Sequence, residues 1–283
     1  MNPKLSPAGY ISDGCFKVPG CVAEQYISTI IEICNQNNIS IIIPTIDTEL
    51  KVYAQHKSEL VSQGIHVIVS NIDFIRTCRD KRLTSEFFTR KGISIPRAID
   101  LNHPTFPIFA KPYDGSLSTN LHLIKTAQEI TDEIKNDPKL IFMEYINPAD
   151  FKEFTVDMYY GRDNRVKAIV PRERIKVRAG EINKGITRKN YIIEFLKQRL
   201  DYIEGVTGCI CIQLFYRESD NVIYGIEINP RFGGGYPLSY YAGANFAEYI
   251  LKEFLLNDSI EYTDNWRNNT LMLRYDKEVI IYE

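Results

Sequence analysis

Residues 208–229 read as two strands folded back on one polar turn, and no other stretch restricts the fold so narrowly. Gly208 to Tyr216 and Val222 to Ile228 are rich in Ile, Val, Cys and aromatic residues, and Ser219-Asp220-Asn221 between them is turn chemistry. Side chains alternate across a strand. Alternation puts Ile223, Gly225, Glu227 and Asn229 on one face, and Val222, Tyr224, Ile226 and Ile228 on the other, the apolar core side. On the preceding strand Cys209, Cys211, Gln213 and Phe215 share a face. A reversal centred on Asp220 sets Gln213 opposite Glu227, with Cβ atoms about 4.5–5.5 Å apart. Gln213, Glu227 and Asn229 then converge on one patch of sheet. Hard oxygen donors of this kind suit Mg2+ or Mn2+, with nucleotide phosphates completing an octahedron. For an isolated Glu-x-Asn, the solvated face of a hairpin is the better reading. Here the strand runs directly into Pro230-Arg231-Phe232-Gly233-Gly234-Gly235, a backbone-rich, positively charged turn that suits anions.

The rest of the chain divides into three segments. In residues 1–79, Val22, Tyr26, Ile27, Ile30, Ile31 and Cys34 mark a helical face, and Ile39 to Ile43 is a buried parallel strand. Asp47 or Thr48 caps a helix that Gly64 closes, and Ile65 to Val69 is the next strand, which makes an α/β lobe. Residues 80–143 hold a helix to about Lys91, strands at 107–111, 121–124 and 140–144, and a Thr126/Glu129 capping box before a further helix. This is a small α+β lobe. Residues 144–283 are strand-rich: 153–160 pairs with 166–170 across Gly161 to Asn164, and helices run over 191–202 and 245–256.

Composition narrows the function classes. The 283 residues carry 34 Lys and Arg against 36 Asp and Glu, a net charge of −2, which gives no footprint for nucleic acid. No apolar run approaches the ~20 residues of a membrane span, and the N-terminus lacks a signal-peptide layout. Six scattered cysteines without a CxxC pair point to a reduced, cytoplasmic protein, with Cys209 and Cys211 as core thiols rather than ligands.

Gln213 followed by Glu227-Ile228-Asn229-Pro230-Arg231 resembles the carbamoyl-phosphate synthase large-chain branch of the ATP-grasp superfamily. The likeness extends through Ile43-Pro44-Thr45-Ile46-Asp47, Asp80-Lys81, Ala110-Lys111-Pro112, Met143-Glu144-Tyr145, the Tyr-Pro-Leu-Ser run at 236–239 and Leu273-Arg274-Tyr275-Asp276. It implies an ATP-grasp fold: a shortened N-terminal parallel α/β lobe, a small α+β lid and a larger mixed-sheet lobe. It also implies roles. Lys81 and Lys111 match the residues contacting ATP phosphates, and the loop from Asp114 to Asn120, with Ser116 and Ser118, matches the one that closes over them. Glu144 with the backbone of Tyr145 and Ile146 matches the adenine hinge, and Glu153 the acidic residue on the ribose hydroxyls. Gln213, Glu227 and Asn229 match the metal ligands, and Arg231 the residue steadying the acyl phosphate or acceptor. By residue type alone, Lys81 reads as a solvated helix residue, Lys111 as a strand end with its head in water, and Glu153 as a cross-strand ion partner.

Two departures stand out. The phosphate loop has one glycine, Gly115, and the N-terminal lobe lacks the glycine-bearing strand and helix with which relatives open. An open parallel sheet edge is an association hazard, which points to a homodimer. The basic stretch Arg172, Arg174, Lys176, Arg178, Lys184, Arg188 and Lys189 matches the segment over the phosphates and acceptor, with Arg178 the first choice for a catalytic role and Arg172 the second. The resemblance thus implies an Mg·ATP-dependent ligase that joins a small-molecule carboxylate to an amine, with Lys111, Arg178 and Arg231 catalytic. The alternative is a nucleotide-binding module with degenerate catalysis serving a partner. Carbamoyl-phosphate formation is a third reading, weakened because the chain shows no internal repeat. Tyr236, Tyr240 and Tyr241 either line the acceptor pocket or pack in the core.

Overall fold

The computed structural model describes residues 3–115, 119–178 and 180–282. The first segment contains α1 (Pro7–Ile11), α2 (Tyr26–Gln36), β1 (Ile41–Ile42), α3 (Asp47–Gln55), α4 (Lys57–Ser62), β2 (His66–Val67) and α5 (Ile72–Arg79). β1 and β2 pair in parallel, with Ile41 opposite His66. Tyr26, Leu50, Tyr53, Leu60, Ile65 and Val67 form its core. Both strands are far shorter than their apolar runs suggested. The helix anticipated from Asp47 is two helices broken at His56, which closes one and opens the next with φ −103° and ψ 12°. Gly64 does take the left-handed conformation, at φ +76°, that ends a helix economically. Val22 lies outside α2 and is 96% exposed.

The second segment gives α6 (Lys81–Arg90), β3 (Ile108–Pro112), β4 (His122–Ile124), α7 (Asp132–Asn136) and β5 (Leu140–Glu144). The three strands form an antiparallel sheet in the order β4-β3-β5 over a core of Ile108, Ala110 and Ile124. The Thr126/Glu129 box does not form, and the Thr126 side chain caps nothing. Glu129 accepts from the Lys125 amide at 2.8 Å, while α7 starts later and is capped by Thr131. α6 is capped by Asp80, which accepts from the Arg82 amide at 2.9 Å. Its Phe87 and Phe88 are buried in the core of the large sheet, so α6 packs with the third segment.

That third segment contains β6 (Lys152–Tyr160), β7 (Val166–Arg178), β8 (Glu181–Thr187), α8 (Tyr191–Leu200), β9 (Gly208–Arg217), β10 (Val222–Asn229), α9 (Tyr236–Tyr241), α10 (Phe246–Phe254) and β11 (Leu271–Leu273). Six strands pair antiparallel in the order β10-β9-β6-β7-β8-β11. The basic stretch is the long β7–β8 hairpin. One sheet face packs Phe154, Val156, Ile210, Ile212 and Leu214 against α8, and part of the other packs Tyr159, Cys209 and Cys211 against Phe246 and Ile250 of α10.

The face assignment on β10 needs correction. A β-bulge at Ile226 shifts the register: Gly225 pairs with Leu214, then Glu227 pairs with Gln213 and Asn229 with Cys211. A bulge adds one residue to one strand and resets its alternation. Ile223 and Gly225 are therefore buried on the side of Ile228, opposite Glu227 and Asn229. Gly225 has to be glycine. A Cβ there would lie 2.7 Å from the Phe88 ring, and the Gly225 amide donates to the Ser94 carbonyl at 2.8 Å.

Candidate active site

The polar face of the large sheet is assembled by strand pairing. Gln213 on β9 sits between Glu227 on β10 and Thr155 on β6, and Thr155 lies opposite Arg172 on β7. Two residues earlier on β6, Glu153 shares the face of Thr155. The Asn229 Nδ2 donates to Glu227 Oε1 at 3.0 Å. That leaves the Asn229 amide oxygen and the second Glu227 oxygen as acceptors, beside the Gln213 amide. This is a hard-oxygen donor set, and it fits a small divalent cation.

Two lysines belong to the same site from the side of the small sheet. Lys111 on β3 is only 7% exposed, so it does not hold its head in water. Burial pushes its pKa down to about 8, opposed by the charge of Glu227 and reinforced by Lys81. Lys81, the first residue of α6, donates to the Gly115 carbonyl at 2.7 Å and is likewise pushed down by burial and drawn up by Glu227. One cleft is lined by Lys81, Lys111, Ile141, Met143 and the bulge residues Gly225 and Ile226. A buried and a half-buried ammonium group thus sit in the field of one carboxylate, an arrangement suited to a polyanion carrying a cation.

At the edge of that cleft Glu144 is engaged locally. Its Oε1 accepts from the Arg97 amide at 3.0 Å, its own amide donates to the Arg97 carbonyl at 2.8 Å, and the Tyr145 amide donates to the Pro107 carbonyl at 3.3 Å. Ile146 follows directly in the chain. Ser116 and Ser118 lie outside the described residues.

The arginines sort differently from the expectation. Arg178 is 59% exposed, paired with Asp276, and lies six residues beyond Arg172, about 20 Å along the strand at 3.3 Å per residue. It is not brought to the cleft. Arg172 is 1% exposed and makes a two-point ion pair with Asp157 at 2.7 and 2.8 Å, so it serves the core. Arg231 is drawn to Asp47 of the first segment, at 2.9 Å from each carboxylate oxygen. Sequence reading passed over Arg174, which is 8% exposed and lies 3.1 Å from Glu153. Alternation from Arg172 could have placed it on this face. Tyr236 packs in the core and donates to the Ala244 carbonyl at 2.9 Å, while Tyr240 and Tyr241 are exposed.

Among the described residues one set of ligand-type side chains, Asp157, Cys209 and Cys211, converges within 4.8 Å. The Asp157 oxygens already accept from Arg172, Ser239 and Cys211, so these thiols are core groups, as expected. None of the six cysteines is in a disulfide. No helix among the described residues is long and apolar enough to cross a membrane.

No curated protein matches the chain in sequence. A family model described as PylC-like, N-terminal domain, matches residues 2–68, and one described as ATP-grasp in the biosynthetic pathway with Ter operon matches residues 136–276. Among solved structures, the biotin carboxylase domain of Hydrogenobacter thermophilus 2-oxoglutarate carboxylase, in complex with MgADP, ADP and bicarbonate, is 14% identical with a TM-score of 0.69, over 92% of this chain and 64% of that one. Staphylococcus aureus N5-carboxyaminoimidazole synthetase, complexed with ADP, is 17% identical with a TM-score of 0.67, over 94% and 70%. The L-amino acid ligase from Bacillus licheniformis is 16% identical with a TM-score of 0.58, over 85% and 59%. The chain spans 64–65% of the biotin carboxylase chains from H. thermophilus and Campylobacter jejuni. At these identities the likeness is one of fold. Together with the family model over residues 136–276, and with a three-stranded and a six-stranded sheet contributing to one lysine-lined cleft, it shows that the chain has the ATP-grasp fold.

Proposed function

We propose that this chain is an ATP-dependent carboxylate–amine ligase that uses Mg·ATP to form a C–N bond. The observation that carries the reading is that Lys81 and Lys111 line one cleft and both feel the charge of Glu227, which has Gln213 and Asn229 beside it. Lys81 and Lys111 hold the phosphate oxygens, and their partial burial strengthens that attraction. Gln213, Glu227 and Asn229 hold magnesium, or manganese, whose charge neutralises the phosphate oxygens when it is bound. The adenine edge meets the backbone of Tyr145 and Ile146 near Glu144, and the ribose hydroxyls meet Glu153.

In the reaction a substrate carboxylate oxygen attacks the γ-phosphorus. The bond from that phosphorus to the β–γ bridging oxygen breaks, ADP leaves and an acyl phosphate forms. An amine or ammonia then attacks the acyl carbon, the C–N bond forms, phosphate departs with the C–O electron pair, and the nitrogen gives its proton to solvent. The chain contributes position and charge rather than a covalent nucleophile. In this scheme Lys111 meets the transferring phosphoryl group and Arg231 the acyl phosphate. Arg178, exposed and paired with Asp276, is left out of this scheme. A homodimer covering the edge of the β1–β2 sheet belongs to the same reading, and sedimentation tests it.

The test is ADP release by the purified chain with Mg·ATP and panels of carboxylates and amines, with mass spectrometry of the products. Turnover to an amide supports the ligase. Tight Mg·ATP binding without turnover on any acceptor points to the nucleotide-binding module instead.

A further inference from the structure

The Glu153 carboxylate is held in an unusual way. Arg174 Nε lies 3.1 Å from Glu153 Oε1, yet that N–H is not aimed at it and makes no hydrogen bond within the described residues. The rest of the guanidinium is fixed: Nη1 donates to Thr155 Oγ1 at 3.2 Å and Nη2 to the Gly180 carbonyl at 2.9 Å. Glu153 therefore has its charge compensated while its oxygens keep their lone pairs. Asp157 on the same strand is the opposite case, with both oxygens saturated by Arg172, Ser239 and Cys211. A carboxylate that is one third exposed, charge-compensated and short of donors matches two adjacent hydroxyl groups, each giving one O–H.

Glu153 needs Arg174 to stay in that state. Burial and the charge of Glu227 push its carboxyl up, and Arg174 opposes them. The guanidinium also ties β6 to the turn of the β7–β8 hairpin, so it fixes where the carboxylate stands.

We infer that Arg174 is the positioning residue for hydroxyl recognition: it holds Glu153 with its acceptor oxygens open to a vicinal diol and so sets the preference for ribonucleotides over deoxynucleotides. The inference rests on the proposed reading of Glu153 as the group that meets the ribose.

The experiment is calorimetric titration of Mg·ATP and of its 2′-deoxy and 3′-deoxy analogues into the wild-type chain, Arg174→Gln and Glu153→Gln. One hydrogen bond to a charged group corresponds to roughly 10–100-fold in affinity, so the wild type should prefer Mg·ATP by about that factor. In Arg174→Gln the preference should fall to about twofold or less, through weaker Mg·ATP binding with little change for the deoxy analogues. Glu153→Gln should lose the same preference, and the double variant no more. Arg174→Met, which keeps the buried stem, replaces the Gln variant if that one does not fold. A parallel loss for all three nucleotides would mean that Arg174 only supports the fold, and an unchanged preference would mean that Glu153 needs no help; either overturns the inference. If the wild type or Glu153→Gln shows that Glu153 does not discriminate the hydroxyls, the reading of Glu153 fails first and takes the inference with it.

Discussion

Arg231 and Asp47, 184 residues apart, form a two-point ion pair with both contacts at 2.9 Å. The Asp47 side chain sits at the start of α3 but caps nothing there; Ile46 is the N-cap. Instead it fixes the arginine that follows the Glu227-Ile228-Asn229 strand end. Of the five guanidinium N–H groups, two go to Asp47 and one to the Phe232 carbonyl, which leaves two for a ligand. Asp47→Ala should therefore lower stability by about 1–3 kcal/mol, read by denaturant unfolding. Asp47→Glu should recover part of it. An unchanged midpoint would show that the pair does not tie the first segment down.

Lys111 gives a pH dependence with two opposite signs. Its folded pKa is about 8 against 10.5 for the ordinary side chain. Below pH 8 it is charged in both folded and unfolded chains. As pH climbs from about 8 towards 10.5 the unfolded chain keeps its proton and the folded one has released it, so stability of the ligand-free protein should rise. Over the same range the neutral amine stops attracting phosphate, so affinity for Mg·ATP should fall. Lys111→Met should flatten both profiles, and a variant with the wild-type profiles would remove Lys111 from the phosphate site.

Gly225 couples the bulge to α6. A methyl group placed 2.7 Å from the Phe88 ring pushes on the helix that begins with Lys81. Gly225→Ala should cost about 1–3 kcal/mol in thermal or denaturant unfolding and weaken Mg·ATP binding as well. Phe88→Leu in that background should restore part of both. Recovery of stability without recovery of affinity would mean that α6 does not place Lys81 for the nucleotide.

The lobes and the strand pair carrying Gln213 and Glu227 were legible because side-chain alternation and a polar turn are local signals. The bulge at Ile226 was not. Up to Gly225 the ladder runs one residue off the anticipated register, and only the inserted residue brings Glu227 opposite Gln213. The pairing was right, and the faces of Ile223 and Gly225 were wrong. Packing decided that bulge, because Phe88 of α6 presses on Gly225. The arginines misled for a similar reason. Composition marks a charge cluster, but which guanidinium is solvated, buried or aimed at the cleft depends on the carboxylate each strand position finds across the sheet. Arg178 finds Asp276 at the surface, Arg172 finds Asp157 in the core, and Arg174 finds Glu153 at the site. Lys111 could equally have been a surface residue by type, and it is the approach of α6 and the large sheet to β3 that buries it.

The central claim is that Glu227, with Gln213 and Asn229, holds the cation that brings ATP to Lys81 and Lys111. The most direct measurement is calorimetric titration of ATP, with and without magnesium, into the wild-type chain and Glu227→Gln. The wild type should gain about tenfold or more in affinity from the metal, and Glu227→Gln should lose that gain while still unfolding cooperatively. A Glu227→Gln chain that keeps the full magnesium-dependent gain would contradict the account.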